Sequence, residues 1–160
     1  FHESEDERRP FSAMARVATD DIAAVAAAAD VGLHVVFSRV IKAPAGPAPE
    51  GRVIGAFGMV CNPDLGHTAA DTHWRDRHGP LALVSHTAMT DYTQLSVLAT
   101  LSGTPLGGMA LCAFASHDDL RHRFYDSDDA RAAIAADVAR FADTRRSLRR
   151  VVVTQVVTPG

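Results

Sequence analysis

The sequence predicts an α+β fold, and three observations lead to this prediction. Runs of β-branched and apolar residues, bounded by Gly and Pro, indicate short strands. Ser or Thr followed three positions later by Asp marks the starts of helices. From residue 52 onward these signals follow the order strand, helix, strand, strand, helix, strand. That order is typical of a ferredoxin-like antiparallel sheet with both helices on one face.

The composition is that of a soluble globular protein rather than a membrane or nucleic-acid-binding one. Of the 160 residues, 47% are hydrophobic and 22% are charged, and the chain is long enough for one domain to bury a core. No apolar run approaches the roughly 20 residues of a membrane span. The charged opening "FHESEDERRP" lacks the apolar segment of a signal peptide, so we expect a cytoplasmic location. The net charge of −3 gives no reason to expect a nucleic-acid partner.

An N-terminal extension, residues 1–51, is predicted to precede the main domain, residues 52–160. Its polar start is expected to be disordered. "TDDIAAVAAAAD" then predicts a helix over about 20–30, with Thr19 as its N-cap. The β-branched stretch 33–42 predicts a strand, and a Pro/Gly-rich loop completes the extension. This helix and strand could extend the sheet, cover a cavity or strengthen a dimer.

Local signals also predict the elements of the main domain. Thr68 and Asp71 have the spacing of a capping box, so a helix is expected to begin at about Ala69. Ser116 and Ser127 are predicted to start the second helical region. The predicted strands are 52–61, 91–100, 109–115 and the C-terminal "SLRRVVVTQVV".

The predicted sheet has an uncovered face, because both helices lie on the other one. That face is apolar, and a monomer would expose it to water. Pairing with the sheet of a second copy would bury it. We therefore expect a homodimer.

The first helix of the main domain carries an imidazole on its apolar face. Residues three or four positions apart share a helix face, and the stripe consists of Trp74, His78, Leu81 and Ser85. Pro80 is expected to bend the helix and open space beside His78. Burial favours the neutral imidazole, which can accept a proton and return it. The alternative is a core histidine hydrogen-bonded to a backbone carbonyl, which is the more frequent arrangement.

Other chemistries have little support in the sequence. His73 and His78 are five positions apart, which points them to different sides of a helix, so we expect no metal site. Neither a Gly-x-Ser-x-Gly elbow nor a phosphate-binding glycine loop is present, and we expect no cofactor. Cys61 and Cys112 lie in apolar stretches and are predicted to be buried free thiols.

The stretch "HWRDRHGPLA", residues 73–82, resembles the EthD family of the dimeric α+β barrel superfamily. That family has an aromatic residue followed four positions later by His-Gly-Pro or His-Ala-Pro, and Trp74 and His78-Gly79-Pro80 match this pattern. The resemblance covers residues 52–157 when the order of elements is included. It implies a dimer whose sheets face each other, with a ligand cavity between each sheet and its helices. The superfamily includes cofactor-free lyases, cyclases and isomerases, and also haem-degrading monooxygenases.

Two functions follow from this resemblance and from the residues. The first is a cofactor-independent lyase, cyclase or isomerase acting on a small hydrophobic aromatic or polyketide-like compound. The second is a non-catalytic metabolite-binding or accessory protein of a degradation or biosynthesis pathway. In the enzyme hypothesis His78 is the general acid/base and His86 is a reserve partner. Tyr92, Gln94 and Ser96 alternate along one face of their strand, and Tyr92 or one of the other two would polarise a substrate oxygen if that face meets the helices. The expected substrate-binding residues are Trp74, Leu81, Phe57, Gln94, Ser96 and Phe114.

Overall fold

The computed structural model describes residues 14–148 and 150–153. A five-stranded antiparallel sheet has the strand order β1-β3-β4-β2-β5, with helices packed against one face. The elements are α1 Ile22–Ala28, β1 Leu33–Lys42, β2 Val53–Met59, α2 His67–His73, a π-helical segment π1 Trp74–His78, α3 Gly79–Ser85, β3 Met89–Ser102, β4 Gly108–Phe114, α4 His117–His122, α5 Asp128–Phe141 and β5 Val151–Val153.

The four strands of the main domain confirm the predicted fold class. Strands β5, β2, β4 and β3 are neighbours in that order, and every pairing between them is antiparallel. The helical stretch from α2 to α3 connects β2 to β3, and α4 with α5 connects β4 to β5. This is the ferredoxin-like arrangement. The predicted C-terminal strand, residues 147–157, is present at Val151–Val153. The described residues before it, 147, 148 and 150, are not in a strand, and residues 154–157 lie outside the described residues.

The N-terminal extension contributes a fifth strand to the same sheet. Strand β1 pairs antiparallel with β3, placing Phe37 opposite Ser96. Of the three expected roles, extension of the sheet is therefore the one that the fold supports directly. Helix α1 lies within the predicted helix, but Asp21 caps it and accepts a hydrogen bond from the backbone N–H of Ala24 at 3.0 Å. The predicted disordered start falls within residues 1–13, outside the described residues.

The helices lie on the face of the sheet to which Tyr92, Gln94 and Ser96 contribute. These three side chains alternate along β3 and are buried. A glycine at position 108 lets the helix approach closely, because a Cβ there would lie 2.4 Å from the Trp74 ring. The largest buried core cluster consists of Val53, Ala82, Met89, Tyr92, Cys112, Phe114, Leu120, Phe124 and Ile134.

Two of the three predicted serine or threonine caps in the main domain are confirmed. The side chains of Ser116 and Ser127 accept hydrogen bonds from backbone N–H groups at the starts of α4 and α5. The capping box at Thr68 is wrong, because α2 begins at His67 and has no side-chain cap. Asp71 instead accepts hydrogen bonds from side chains of the sheet.

Two predictions about the chain as a whole can be compared with the fold. Cys112 is a buried free thiol, as predicted, and Cys61 is a free thiol that is half-buried. Among the described helices, none has the length and apolar character needed to cross a membrane.

Candidate functional site

The helical stretch from His67 to Ser85 is continuous and contains a π-helical turn at its centre. The backbone N–H of Gly79 donates to the carbonyl of Trp74, five residues earlier. Pro80 follows directly and has no N–H to donate. A π turn accommodates the missing donor by widening the helix by one residue, and such turns are frequent at functional sites. The bend expected at Pro80 therefore takes the form of a π turn.

The π turn divides the predicted apolar stripe of the helix between the sheet and a second helix. Trp74 faces the sheet, and its Nε1 donates to the hydroxyl of Tyr92 at 3.1 Å. Gly79 also faces the sheet, since a Cβ there would lie 3.7 Å from Nε2 of Gln94. His78 is directed instead toward α5, where it meets Asp137. The imidazole thus lies on the seam between the two helices.

Asp137 binds two histidines with its two carboxylate oxygens. Nδ1 of His78 lies 2.9 Å from Oδ2, and Nε2 of His73 lies 2.8 Å from Oδ1. Because a carboxylate can only accept, each of these ring nitrogens carries the hydrogen. The Phe141 ring covers both imidazoles, with centroids 5.4 Å from His73 and 5.1 Å from His78. The second nitrogen of His78, Nε2, is left as a hydrogen-bond acceptor.

Burial sets the protonation of His78. Desolvation lowers the pKa of His78 below the ordinary histidine value, and the hydrogen bond and charge of Asp137 only partly offset this. The side chain keeps 10% of its surface accessible, so the ring is neither in bulk solvent nor fully enclosed. At neutral pH the ring is therefore a neutral base, oriented by a carboxylate and reachable at its edge.

A second polar network joins Trp74, Tyr92 and Gln94 inside the helix–sheet layer. Nε2 of Gln94 lies 3.1 Å from both the Tyr92 hydroxyl and the backbone carbonyl of Trp74. Burial raises the pKa of Tyr92 well above its usual value, so the hydroxyl stays protonated. The three side chains hold one another in place, and the Trp74 carbonyl connects this network to the π turn.

A half-buried ion pair links the N-terminal strand to the helix. Arg39 on β1 binds the Asp71 carboxylate through two nitrogens, and the Ser96 hydroxyl donates to the same carboxylate. Burial alone would raise the pKa of Asp71, but the hydrogen bonds from Arg39 and Ser96 and the positive charge of Arg39 lower it. Ser96 is therefore occupied as a partner of Asp71.

The remaining predicted residues cluster around Phe124. Nδ1 of His86 donates to the Phe124 carbonyl, which is the core arrangement weighed for His78, and burial lowers the pKa of His86. Phe57 and Phe114 each place their rings 5.6 Å from that of Phe124. Leu81 is partly buried and packs against the same core cluster. His86 thus belongs to a different group of contacts from the His78–Asp137 pair.

An open cavity of about 420 Å³ lies elsewhere, and none of the predicted site residues lines it. Its lining residues are Thr87, His122, Arg123, Tyr125 and Asp126. In the part of the chain that the structure describes, no group of three His, Cys, Asp or Glu side chains is placed to hold a metal ion.

Sequence reasoning missed Asp137, Arg39 and Asp71 as site residues. A signal for Asp137 was present, because it lies on the same helix face as Ile134 and Phe141, which are buried. A carboxylate on an apolar stripe needs a partner, as an imidazole on such a stripe does. Nothing in the sequence indicates that Arg39, from a distant strand, binds Asp71.

Comparison with known families identifies the chain. The EthD domain family matches residues 62–145, slightly more than half of the chain. The chain belongs to the EthD family. The match includes the whole helical stretch, the His78-Gly79-Pro80 motif and Asp137.

A solved structure and a search of curated proteins complete the comparison. The structure of an ethyl tert-butyl ether D (EthD) family protein from Bacillus halodurans is similar, with 17% sequence identity and a TM-score of 0.49. The similarity covers 66% of this chain and 98% of that protein. The search of curated proteins found no significant match.

Proposed function

We propose that this EthD-family chain is a cofactor-independent enzyme of the lyase, cyclase or isomerase type. Its substrate is a small hydrophobic aromatic or polyketide-like compound, and His78 is its general base and acid. The observation that carries the proposal is the hydrogen bond between Nδ1 of His78 and Asp137, which leaves Nε2 as the acceptor. An imidazole held in this way by a carboxylate is the arrangement that proton-transfer enzymes use.

The proposed step begins with a C–H bond next to a substrate carbonyl. Nε2 of His78 takes the proton, and the electron pair of the C–H bond passes to the carbonyl as an enolate. Asp137 stabilises the imidazolium that forms, without itself taking the proton. In an isomerisation the proton then returns to a different carbon of the enolate system. In a cyclisation the enolate carbon forms a bond to a second carbonyl carbon of the substrate, and the proton passes to the alkoxide oxygen that results. In an elimination the bond to a leaving group on the neighbouring carbon breaks, and the proton passes to that group.

The other predicted residues have supporting roles in this proposal. Tyr92 and Gln94 fix Trp74 and the π turn, which sets the position of His78. Phe141 provides apolar surface next to the imidazole for a hydrophobic substrate, and Leu81 packs against the core cluster that supports α3. His86, Phe57 and Phe114 support the far end of α3, and Ser96 fixes the start of the helix through Asp71.

The second candidate is a metabolite-binding or accessory protein, and the packing between the sheet and the helices favours it. Gln94 and Phe114 are completely buried there, and Tyr92 and Trp74 are nearly so. A binding protein could hold its ligand on the exposed edge of the contact between the π turn and α5, without a cavity between the sheet and the helices. It would bind compounds of the same class without exchanging their protons.

Solvent exchange distinguishes the two candidates without knowledge of the product. A panel of aromatic and polyketide-like ketones and acids is incubated with the protein in heavy water, and deuterium incorporation is measured by mass spectrometry. We expect exchange with the wild type, loss of exchange in His78→Gln, and unchanged exchange in the control His67→Gln. Binding without exchange, or equal exchange in His78→Gln, would reject His78 as the base.

We also propose that the chain is a cytoplasmic homodimer joined through the sheet face opposite the helices. Ile54, Leu111 and Val153 share this face and are only half-buried. A second sheet would cover them. The free thiols Cys61 and Cys112 agree with a reducing compartment.

A further inference from the structure

His73 shares its hydrogen-bond partner with His78, although the two lie five positions apart. In an α-helix of about 3.6 residues per turn, that spacing points two side chains to different sides. Here the backbone N–H of Gly79 donates to the carbonyl of Trp74, so residues five apart follow one another on one side of the π turn. His73 and His78 span this turn, and both reach Asp137 on α5. The π turn therefore assembles a group of three residues around one carboxylate.

The two carboxylate oxygens of Asp137 have one partner each. Oδ1 lies 2.8 Å from Nε2 of His73, and Oδ2 lies 2.9 Å from Nδ1 of His78. Within the described residues, no other group hydrogen-bonds to this carboxylate. The Asp137 side chain keeps 15% of its surface accessible, so an oxygen that lost its partner would be poorly hydrated. Each imidazole thus satisfies one oxygen.

A single hydrogen bond does not fix the plane of a carboxylate. The terminal torsion of an Asp side chain is broad, so a carboxylate that is held at one oxygen can still rotate. Two donors on different oxygens remove this freedom. Because His73 holds Oδ1, Oδ2 stays directed at Nδ1 of His78 and the hydrogen stays on that nitrogen. The second nitrogen of His78 then remains the acceptor.

The His73 ring is itself held from the other side by Phe141. The two rings are stacked, with centroids 5.4 Å apart and an interplanar angle of 26°. Phe141 lies four positions after Asp137, on the same face of α5. The accessible fraction of the side chain falls from 21% in His73 to 10% in His78. His73 therefore supports the carboxylate from the more exposed side, and His78 occupies the more enclosed position.

We propose that His73 is a positioning residue of the candidate site, which holds Oδ1 of Asp137 and thereby keeps the His78 ring in the tautomer whose Nε2 is the base. This inference rests on the proposed function, because it assigns His73 a role in the same proton transfer. His73 itself takes no proton from the substrate. The tautomer of His78 can be measured without a substrate, so the role of His73 and the proposed function can fail separately.

Two substitutions of His73 separate hydrogen bonding from packing. His73→Phe keeps an aromatic ring against Phe141 and removes the donor, whereas His73→Gln keeps an N–H donor and removes the ring. Nitrogen–proton NMR at about pH 8, where His78 is neutral because burial lowers its pKa, gives the fraction of His78 rings with hydrogen on Nδ1. We expect this fraction to fall in His73→Phe and to keep its wild-type value in His73→Gln. His122→Phe is the matched control, since Nδ1 of His122 lies 2.8 Å from Asp118 in an exposed pair.

Deuterium incorporation from heavy water gives the second readout. With a compound that the wild type deuterates, we expect the rate to fall about tenfold in His73→Phe and to stay within about threefold of wild type in His73→Gln. Unchanged far-ultraviolet circular dichroism would show that the variants still fold. A His78 tautomer that stays unchanged in His73→Phe, or that changes in His73→Gln, would overturn the positioning role. A tautomer that changes as expected, without exchange of any compound by the wild type, would uphold the orientation of His78 by His73 and reject the proposed function.

Discussion

Oδ2 of Asp137 on α5 lies 2.9 Å from Nδ1 of His78 in the π turn. The two residues are far apart in sequence, and they meet between two helices, next to His73 and the Phe141 ring. Their contact supplies the polar partner that each needs in a poorly hydrated seam. It also fixes the hydrogen on Nδ1 and leaves Nε2 as the acceptor. The proposed chemistry depends on this orientation.

Replacing Asp137 with Asn should impair proton transfer without removing the imidazole. An Asn amide can donate to Nδ1, which would move the hydrogen to Nε2 and take away the base. We expect Asp137→Asn to lower the rate of substrate deuteration on the order of 100-fold or more. Asp64→Asn, in the exposed loop before α2, is the control. A rate within a factor of about two of wild type would exclude a positioning role for Asp137.

The stability of the fold should decrease as pH falls below the ordinary histidine pKa. Burial lowers the pKa of His78 and of His86 below 6.5. Between the folded-state pKa and 6.5 the unfolded chain binds more protons, so the free energy of unfolding falls as pH falls through this window. Above it both states are neutral, and these residues contribute no pH dependence. Urea denaturation over about pH 5–8 measures the slope, which His86→Gln should reduce. Stability that is constant or increases toward pH 5 would be inconsistent with two buried neutral imidazoles.

Because Trp74 packs closely on β4, alanine should destabilise the fold much more at Gly108 than at Gly46. A Cβ at Gly108 would lie 2.4 Å from the Trp74 ring, whereas a Cβ at Gly46 has nothing within 4 Å. Gly108→Ala should lower the free energy of unfolding by about 1–3 kcal/mol, because the indole must move. Gly46→Ala should stay within about 0.5 kcal/mol of wild type. Chemical denaturation compares the two variants, and equal effects would mean that Trp74 does not pack against the strand at Gly108.

Replacing Ser127 or Thr68 with alanine should change the stability of the fold differently, because only Ser127 caps a helix. The Ser127 hydroxyl accepts from the backbone N–H of Ala130, so Ser127→Ala should cost about 1 kcal/mol. Thr68 is exposed inside α2 and caps nothing, so Thr68→Ala should be neutral or slightly stabilising. Thermal and urea unfolding measure both. If Thr68→Ala lowered the free energy of unfolding as much as Ser127→Ala does, Thr68 would be a helix cap, contrary to the structure.

The order of elements could be predicted from the sequence because local signals determine it. Alternation along β3 correctly predicted that Tyr92, Gln94 and Ser96 share one face of the sheet, and the structure shows that this is the face that meets the helices. The capping box failed at Asp71 because a local hydrogen bond competes with a charged partner. Arg39 offers two charge-assisted hydrogen bonds, and these outweigh one bond to a backbone N–H. Arg39 comes from a strand 32 positions away, so the sequence around Asp71 gives no sign of it.

The candidate site was only half predictable for a related reason. The imidazole of His78 on an apolar stripe and the neighbouring proline were visible in the sequence. The π turn that directs His78 toward α5 depends on how the helix accommodates Pro80 against the sheet, which periodicity does not encode. Asp137 becomes a partner only once the two helices pack side by side.

Nitrogen–proton NMR of the histidine rings shows which nitrogen of His78 carries the hydrogen, and it requires no substrate. A pH titration of the His78 ring gives both its tautomer and its pKa, with His78→Gln providing the assignment. If His78 is a neutral base oriented by Asp137, we expect hydrogen on Nδ1 and a pKa below 6.5, with the hydrogen moving to Nε2 in Asp137→Asn. Hydrogen on Nε2 in the wild type, or a pKa above 6.5, would contradict it.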